Sequence, residues 1–160
     1  MHATLNDLPA ESRTNLCALL NARLADTIDL TSMAKQAHWN VKGPQFIGLH
    51  KMFDELWDDL NDWVDLIAER IVQLGGTANG TVRDAAEASN LEEYPHGAVT
   101  CKDHVAAVAQ RLSVVGRTIR AAIGSSEDLG DADTADLFTE VSRGLDKWLW
   151  FVEAHQQAES

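Results

Sequence analysis

Proline is scarce in this chain, with three in 160 residues, at positions 9, 44 and 95. Proline breaks helices from within, so the long intervals between these three are open to continuous helix. Cysteine is scarcer still: Cys17 and Cys101 stand apart at helical spacing among apolar residues, with no CxxC pair. That excludes a disulfide scaffold and a thiolate metal site and leaves two reduced packing residues. No apolar run approaches the roughly 20 residues of a membrane helix. The N-terminus MHATLNDLPAESR has the composition of neither a signal peptide nor a transit peptide, so the sequence reads as cytoplasmic. Basic residues are also few, 13 Lys and Arg against 25 Asp and Glu, for a formal net charge of −12. Binding to DNA or to an anionic membrane is driven by basic residues that displace counterions. The charge therefore speaks against both and favours cations as partners.

What is present is helical periodicity. The apolar fraction, 45%, and the length suit one domain with its own core, spanning residues 1–160 with residues 1–8 as a flexible tail. A first helix is expected from Pro9 to Val41, with rows Leu16, Leu20, Leu24, Ile28 and Cys17, Leu24, Thr31, His38, ended by Gly43 and Pro44. A second runs from Gln45 to Leu74 on an apolar stripe from Leu49 to Leu74 and stops at Gly75 and Gly76. A crossover follows, with a short helix over Val82 to Ser89 and a turn at Tyr94 to Gly97. Thr100 is a cap for the third long helix, which faces Val105, Val108, Leu112, Val115, Ile119 and Ile123 inward and is expected to stop at Gly124. The fourth starts near Asp131, places Leu137, Val141, Leu145, Trp148 and Val152 inside, and frays after His155. Two long helices, one long connection and two more long helices make an all-α, ferritin-like four-helix bundle.

The second helix also carries His50, Asp54, Asp65 and Glu69. At about 100° per residue, and with His50 at zero, the other three lie near 40°, 60° and 100°. They form a polar stripe distinct from the apolar one. His50 and Glu69 are nonetheless about 28 Å apart along the axis, so one metal cannot bind both. The stripe is two i, i+4 pairs placed almost symmetrically about Asp59 and Leu60. Antiparallel packing against a second copy across a two-fold axis would bring each pair opposite its complement and create two identical sites. Such a set, imidazole with carboxylates and no thiolate, suits Fe(II), Mn(II) or Zn(II). His38, just before the turn into the second helix, is placed to join it. The stripe contains no Lys or Arg to neutralise its carboxylates.

The segment HWNVKGPQF from His38 to Phe46, followed by LHKMFDELWDDLNDWVDLIAER to Arg70, closely resembles the Dps family of mini-ferritins. His38, His50, Asp54, Asp65 and Glu69 reproduce that family's ferroxidase ligands in type and in spacings of 12, 4, 11 and 4. Trp39 matches its tryptophan beside the site, and the resemblance continues through DADTADLFTEVSRGLDKWLWFVEAH. Ordinary ferritins use Glu-x-x-His pairs inside one bundle. The single such spacing here, Glu93 to His96, is interrupted by Pro95.

The resemblance implies a dodecameric hollow cage that oxidises Fe(II) with hydrogen peroxide or dioxygen at two-fold interfaces and stores ferric mineral, giving protection from oxidative stress. It places His38, His50 and Asp54 on one subunit and Asp65 and Glu69 on its mate, with Trp39 relaying or quenching oxidising equivalents. Zinc is the competing metal. Acidic residues around the fourth helix, Glu127, Asp128, Asp131, Asp133 and Asp136, match the position of the family's negative pores, Asp131 and Asp136 foremost. An alternative is a DNA-coating protein of the bacterial nucleoid with secondary iron chemistry. Against it, residues 1–13 contain one Arg and no Lys. His2, His96, His104 and His155 lie outside the constellation and could serve a secondary metal site.

Overall fold

A computed structural model describes residues 1–157. Five helices, α1 (Ala10–Asn40), α2 (Phe46–Gln73), α3 (Val82–Ala88), α4 (Cys101–Asp128) and α5 (Ala132–Glu153), make an all-α bundle. α1 packs chiefly on α2 and α4 on α5, while α3 rests against α1 in the crossover. The core is one contiguous apolar cluster drawn from all four long helices. The inward rows behave as their spacing requires, with Ile28, Val64, Ile123 and Leu137 half-buried at the margin. Among the described residues, no helix is long and apolar enough to cross a membrane.

Local chemistry sets the ends. Pro9 opens α1, and Gly43 turns the chain into α2 with φ at 131°. Gly75, at φ 85°, ends α2, and the Gly76 amide donates to the Ile71 carbonyl at 2.8 Å, supplying a donor that the helix end lacks. α3 and α4 both begin with capping boxes, Thr81 with Asp84 and Thr100 with Asp103. The expected stop at Gly124 is wrong: α4 continues to Asp128. A lone glycine costs a helix only about 1 kcal/mol. The hydroxyls of Ser125 and Ser126 bond back to the Ala121 and Ala122 carbonyls across it. Gly130, at φ 82°, provides the actual break.

Midway along its length, α2 is joined to α5 by close contacts. The Trp148 indole donates to Asp59 at 2.7 Å. Gly144 lies flat against the Trp63 ring, where an added Cβ would be 2.1 Å from Cζ2. Before α1, the chain folds back on the end of α2: the His2 amide donates to the Gly75 carbonyl, and Arg13 donates to the carbonyls of Leu74 and Leu8.

Candidate metal centre

His38 is in the last turn of α1, where carbonyls lack intrahelical donors, and the Gly43 turn brings the first turns of α2 alongside. The two histidines then satisfy each other's backbones. Nδ1 of His50 is 2.8 Å from the His38 carbonyl, and Nδ1 of His38 is 2.7 Å from the His50 carbonyl. A carbonyl can only accept, so both Nδ1 atoms carry a proton, and in the neutral form of each ring Nε2 keeps a free lone pair. The rings are stacked, with centroids 3.7 Å apart and planes at 21°. A metal-ligating imidazole is commonly oriented through such a bond from its other nitrogen, and here the orientation is built in by the backbone.

Asp54 completes this cluster, with Oδ1 3.8 Å from Nδ1 of His38. It also forms an ion pair with Lys35, whose ammonium lies 4.2 Å from the centre of the Trp57 ring. The hydrogen bond from Lys35 holds the Asp54 carboxyl below the usual carboxylate range, against the opposing effect of desolvation. The α2 stripe lacks a basic residue of its own, but α1 supplies one. Lys35 was missed in the sequence, although its place one turn before His38 was a usable signal.

Asp65 and Glu69 lie elsewhere, exposed farther along α2, and neither meets a hydrogen-bond or ion-pair partner among the described residues. Among those residues, no group of three His, Cys, Asp or Glu side chains converges within one chain to hold a metal. Within the chain His38 and His50 are stacked with Asp54 beside them, short of a three-ligand set, and Asp65 and Glu69 lie apart. Trp39, next to His38, is 66% exposed.

The acidic residues near α5 divide differently from the sequence expectation. Glu127, Asp133 and Asp136 are exposed, as is Asp128. Asp131 is buried within the chain: it is 3% exposed and caps α5. Its oxygens lie 2.8 and 2.9 Å from Nη2 of Arg70 and also bond Thr134. Burial alone would raise the Asp131 pKa, but the hydrogen bonds from Thr134 and Arg70 outweigh it and lower it. Arg70 follows Glu69 directly, so this ion pair ties the carboxylate end of α2 to the start of α5. Of the remaining histidines, His2, His96 and His155 are exposed, whereas His104 is buried against Tyr94.

The bundle, its single long crossover and its helix-borne imidazoles and carboxylates define a ferritin-like protein, and the ferritin-like domain family matches residues 17–159. The DNA protection during starvation protein of Agrobacterium fabrum is 46% identical over 159 residues, covering 99% of this chain and 98% of that protein. The fine tangled pili major subunit of Haemophilus ducreyi is 37% identical, covering 85% and 71%. The solved structure of Mycobacterium smegmatis Dps in its tetragonal form superposes with a TM-score of 0.94 at 32% identity, covering 99% and 95%. The chain belongs to the Dps family.

Proposed function

We propose that this chain is the single-domain subunit, residues 1–160, of a dodecameric mini-ferritin cage that oxidises Fe(II) and stores the ferric product. The carrying observation is the split of the five candidate ligands: a preorganised His38 and His50 pair with Asp54 beside it at one end of α2, and exposed Asp65 and Glu69 at the other. A two-fold axis near the middle of α2 would pair each cluster with its partner's carboxylates and give two sites per dimer. Each site would offer two Nε2 lone pairs and three carboxylates. That mixture binds Fe(II) and favours the more highly charged Fe(III) product. Two Fe(II) ions supply the two electrons that reduce hydrogen peroxide, or a share of those required by dioxygen. Zinc fits the same donors and would compete. Glu127, Asp133 and Asp136 are the acidic residues free to attract incoming cations. Trp39 stands beside the site, where it would intercept oxidising equivalents.

Protection in this reading comes from consuming peroxide and free iron in the cytoplasm. The Agrobacterium relative is named for DNA protection, but a net charge of −12 opposes phosphate binding. The one basic residue of positions 1–13, Arg13, is engaged with the Leu8 and Leu74 carbonyls. We therefore expect no salt-sensitive gel shift of duplex DNA at physiological salt in the presence of a chelator. The decisive experiment is Fe(II) titration of the metal-free cage, with peroxide and dioxygen compared and ferric oxide followed by near-ultraviolet absorbance. Oxidation no faster than in buffer, with no iron retained on gel filtration, would defeat the ferroxidase reading.

A further inference from the structure

Tyr94 and His104 take no part in the metal centre. Tyr94 is the chain's single tyrosine. It lies in the crossover at 7% exposure, with its phenol oxygen 2.6 Å from Nδ1 of His104, which is 1% exposed. The rings are nearly parallel, at 24°, with centroids 5.9 Å apart. Nε2 of His104 is buried and has no hydrogen-bond partner among the described residues. Burial pushes the Tyr94 phenol well above its ordinary pKa, against the opposing pull of Arg111. Burial likewise pushes His104 down, against Asp103 and the Asn40 backbone. At neutral pH the phenol therefore keeps its proton and donates it to a neutral imidazole at Nδ1, and the ring's own proton sits on Nε2.

This pair lies behind the ligand-bearing end of α1. The amide and thiol of Cys101 both donate to the Lys42 carbonyl, at 3.0 and 3.3 Å, which ties the start of α4 to the end of α1. His104 is one turn farther along α4. The Asn40 backbone is close enough to its ring to favour protonation, and His38 and Trp39 immediately precede Asn40.

The geometry points to a proton-coupled redox pair. Tyr94 gives one electron to a one-electron oxidant while its phenolic proton passes to Nδ1 of His104, and one oxidising equivalent is held inside the bundle. A buried phenol cannot shed that proton to water, so an acceptor already in contact is what allows the electron to leave. The pair's service to iron chemistry rests on the ferroxidase reading. Where a centre holds a single Fe(II), that ion reduces hydrogen peroxide by one electron, the O–O bond breaks, and a hydroxide and a hydroxyl radical result. The radical takes the Tyr94 electron and becomes a second hydroxide, while the phenol O–H bond breaks and an N–H bond forms on His104. A second Fe(II) returns the electron, and the proton moves back to the phenol oxygen. Over the cycle two Fe(II) become two Fe(III), one peroxide becomes two hydroxides, and no radical escapes.

Flash photolysis of ruthenium tris-bipyridine with persulfate, beside the metal-free cage, supplies a one-electron oxidant without iron. The expected product is a neutral tyrosyl radical by electron paramagnetic resonance, formed more slowly in D2O and absent from Tyr94→Phe. Glutamine can accept the hydrogen bond but not the proton. Because a positioned proton acceptor contributes on the order of a hundredfold, His104→Gln should lower the tyrosyl yield by about tenfold or more. Tryptophan radicals alone in the wild type, or an unchanged yield in a folded His104→Gln, would overturn the pair. If that variant does not fold, the wild-type isotope effect decides, and its absence overturns the pair. With Fe(II) and peroxide, the same signal should appear transiently, and Tyr94→Phe should release more hydroxyl radical to a spin trap. A light-driven tyrosyl signal without ferric product would overturn the ferroxidase reading and leave the pair standing. Ferric product without a tyrosyl signal from either oxidant would overturn the pair alone.

Discussion

At the N-terminal end of the α2 stripe, His38, His50 and Asp54 are each held by their own chain, through reciprocal backbone carbonyls or through Lys35. At the C-terminal end, Asp65 and Glu69 stand in solvent four residues apart on one face, with no partner among the described residues. Like charges at that spacing repel by only a few tenths of a kcal/mol while water screens them. One end thus supplies fixed geometry and the other supplies charge. On the shared-site reading, a half-site can remain stable in each monomer in this way, because no charge is buried until a cation arrives to share it.

The largest expected effect tests whether the two ends belong to one shared site. One variant carries His50→Ala with Asp54→Ala, another Asp65→Ala with Glu69→Ala. Each alone should lose most ferroxidase activity. Co-expressed, they form mixed dimers in which one site receives both damaged halves and the other receives both intact ones. Activity should return toward half of the sites in those dimers. Assembled mixed cages as inactive as the separate variants would show that the halves do not meet.

Next in size is the brace behind the exposed end. Arg70→Ala strands the buried Asp131 carboxylate, and breaking a buried pair from one side costs about 3 kcal/mol. For a chain of this size that is a fall in thermal midpoint of roughly 6 to 12 °C. An unchanged midpoint would mean that the ion pair does not hold α2 to α5.

The same pair gives a pH dependence with a defined sign. The folded Asp131 carboxyl is held below its ordinary pKa, with burial opposing and Thr134 and Arg70 prevailing. Its stabilisation is therefore fully present above the unfolded carboxylate pKa and is lost as pH falls through the lower folded value. The stability gap between wild type and Asp131→Asn should be constant near neutrality and shrink in acid. Denaturant midpoints across that range would measure it, and a gap that widened in acid would contradict the assignment.

Smaller changes probe the braced end. Lys35→Met should leave the thermal midpoint nearly unchanged, because Asp54 is solvent-screened, while Co(II), a spectroscopic surrogate, binds more tightly once the competing ammonium is gone. Unaltered Co(II) affinity would show that Lys35 does not compete for the site. The subtlest readout is the imidazole tautomer. Nitrogen-15 NMR of the metal-free protein should show His38 and His50 protonated at Nδ1, and an Nε2 proton on either would remove the preorganisation inferred for the cluster.

Much of this was legible in residue order. The caps at Thr100 and Asp131 and the Gly75 break lie where their chemistry requires, and the spacing of His50, Asp54, Asp65 and Glu69 already separated two i, i+4 pairs along α2. Gly124 misled because one glycine lowers helix stability by less than the packing on either side restores. The Arg70 partner of Asp131 was not legible, because a carboxylate at a helix start reads alike whether it faces solvent or a distant arginine.

The sequence by itself determined the helices, their apolar faces, the acidic balance and the residue types of the candidate centre, because these follow from short-range periodicity and local capping. Only the tertiary structure decided that His38 and His50 lock each other's tautomers, that Lys35 reaches Asp54, that Arg70 claims Asp131, and that Tyr94 meets His104. Each of those contacts joins different elements. It depends on which faces the packed helices turn toward one another, and that is set by the whole core at once.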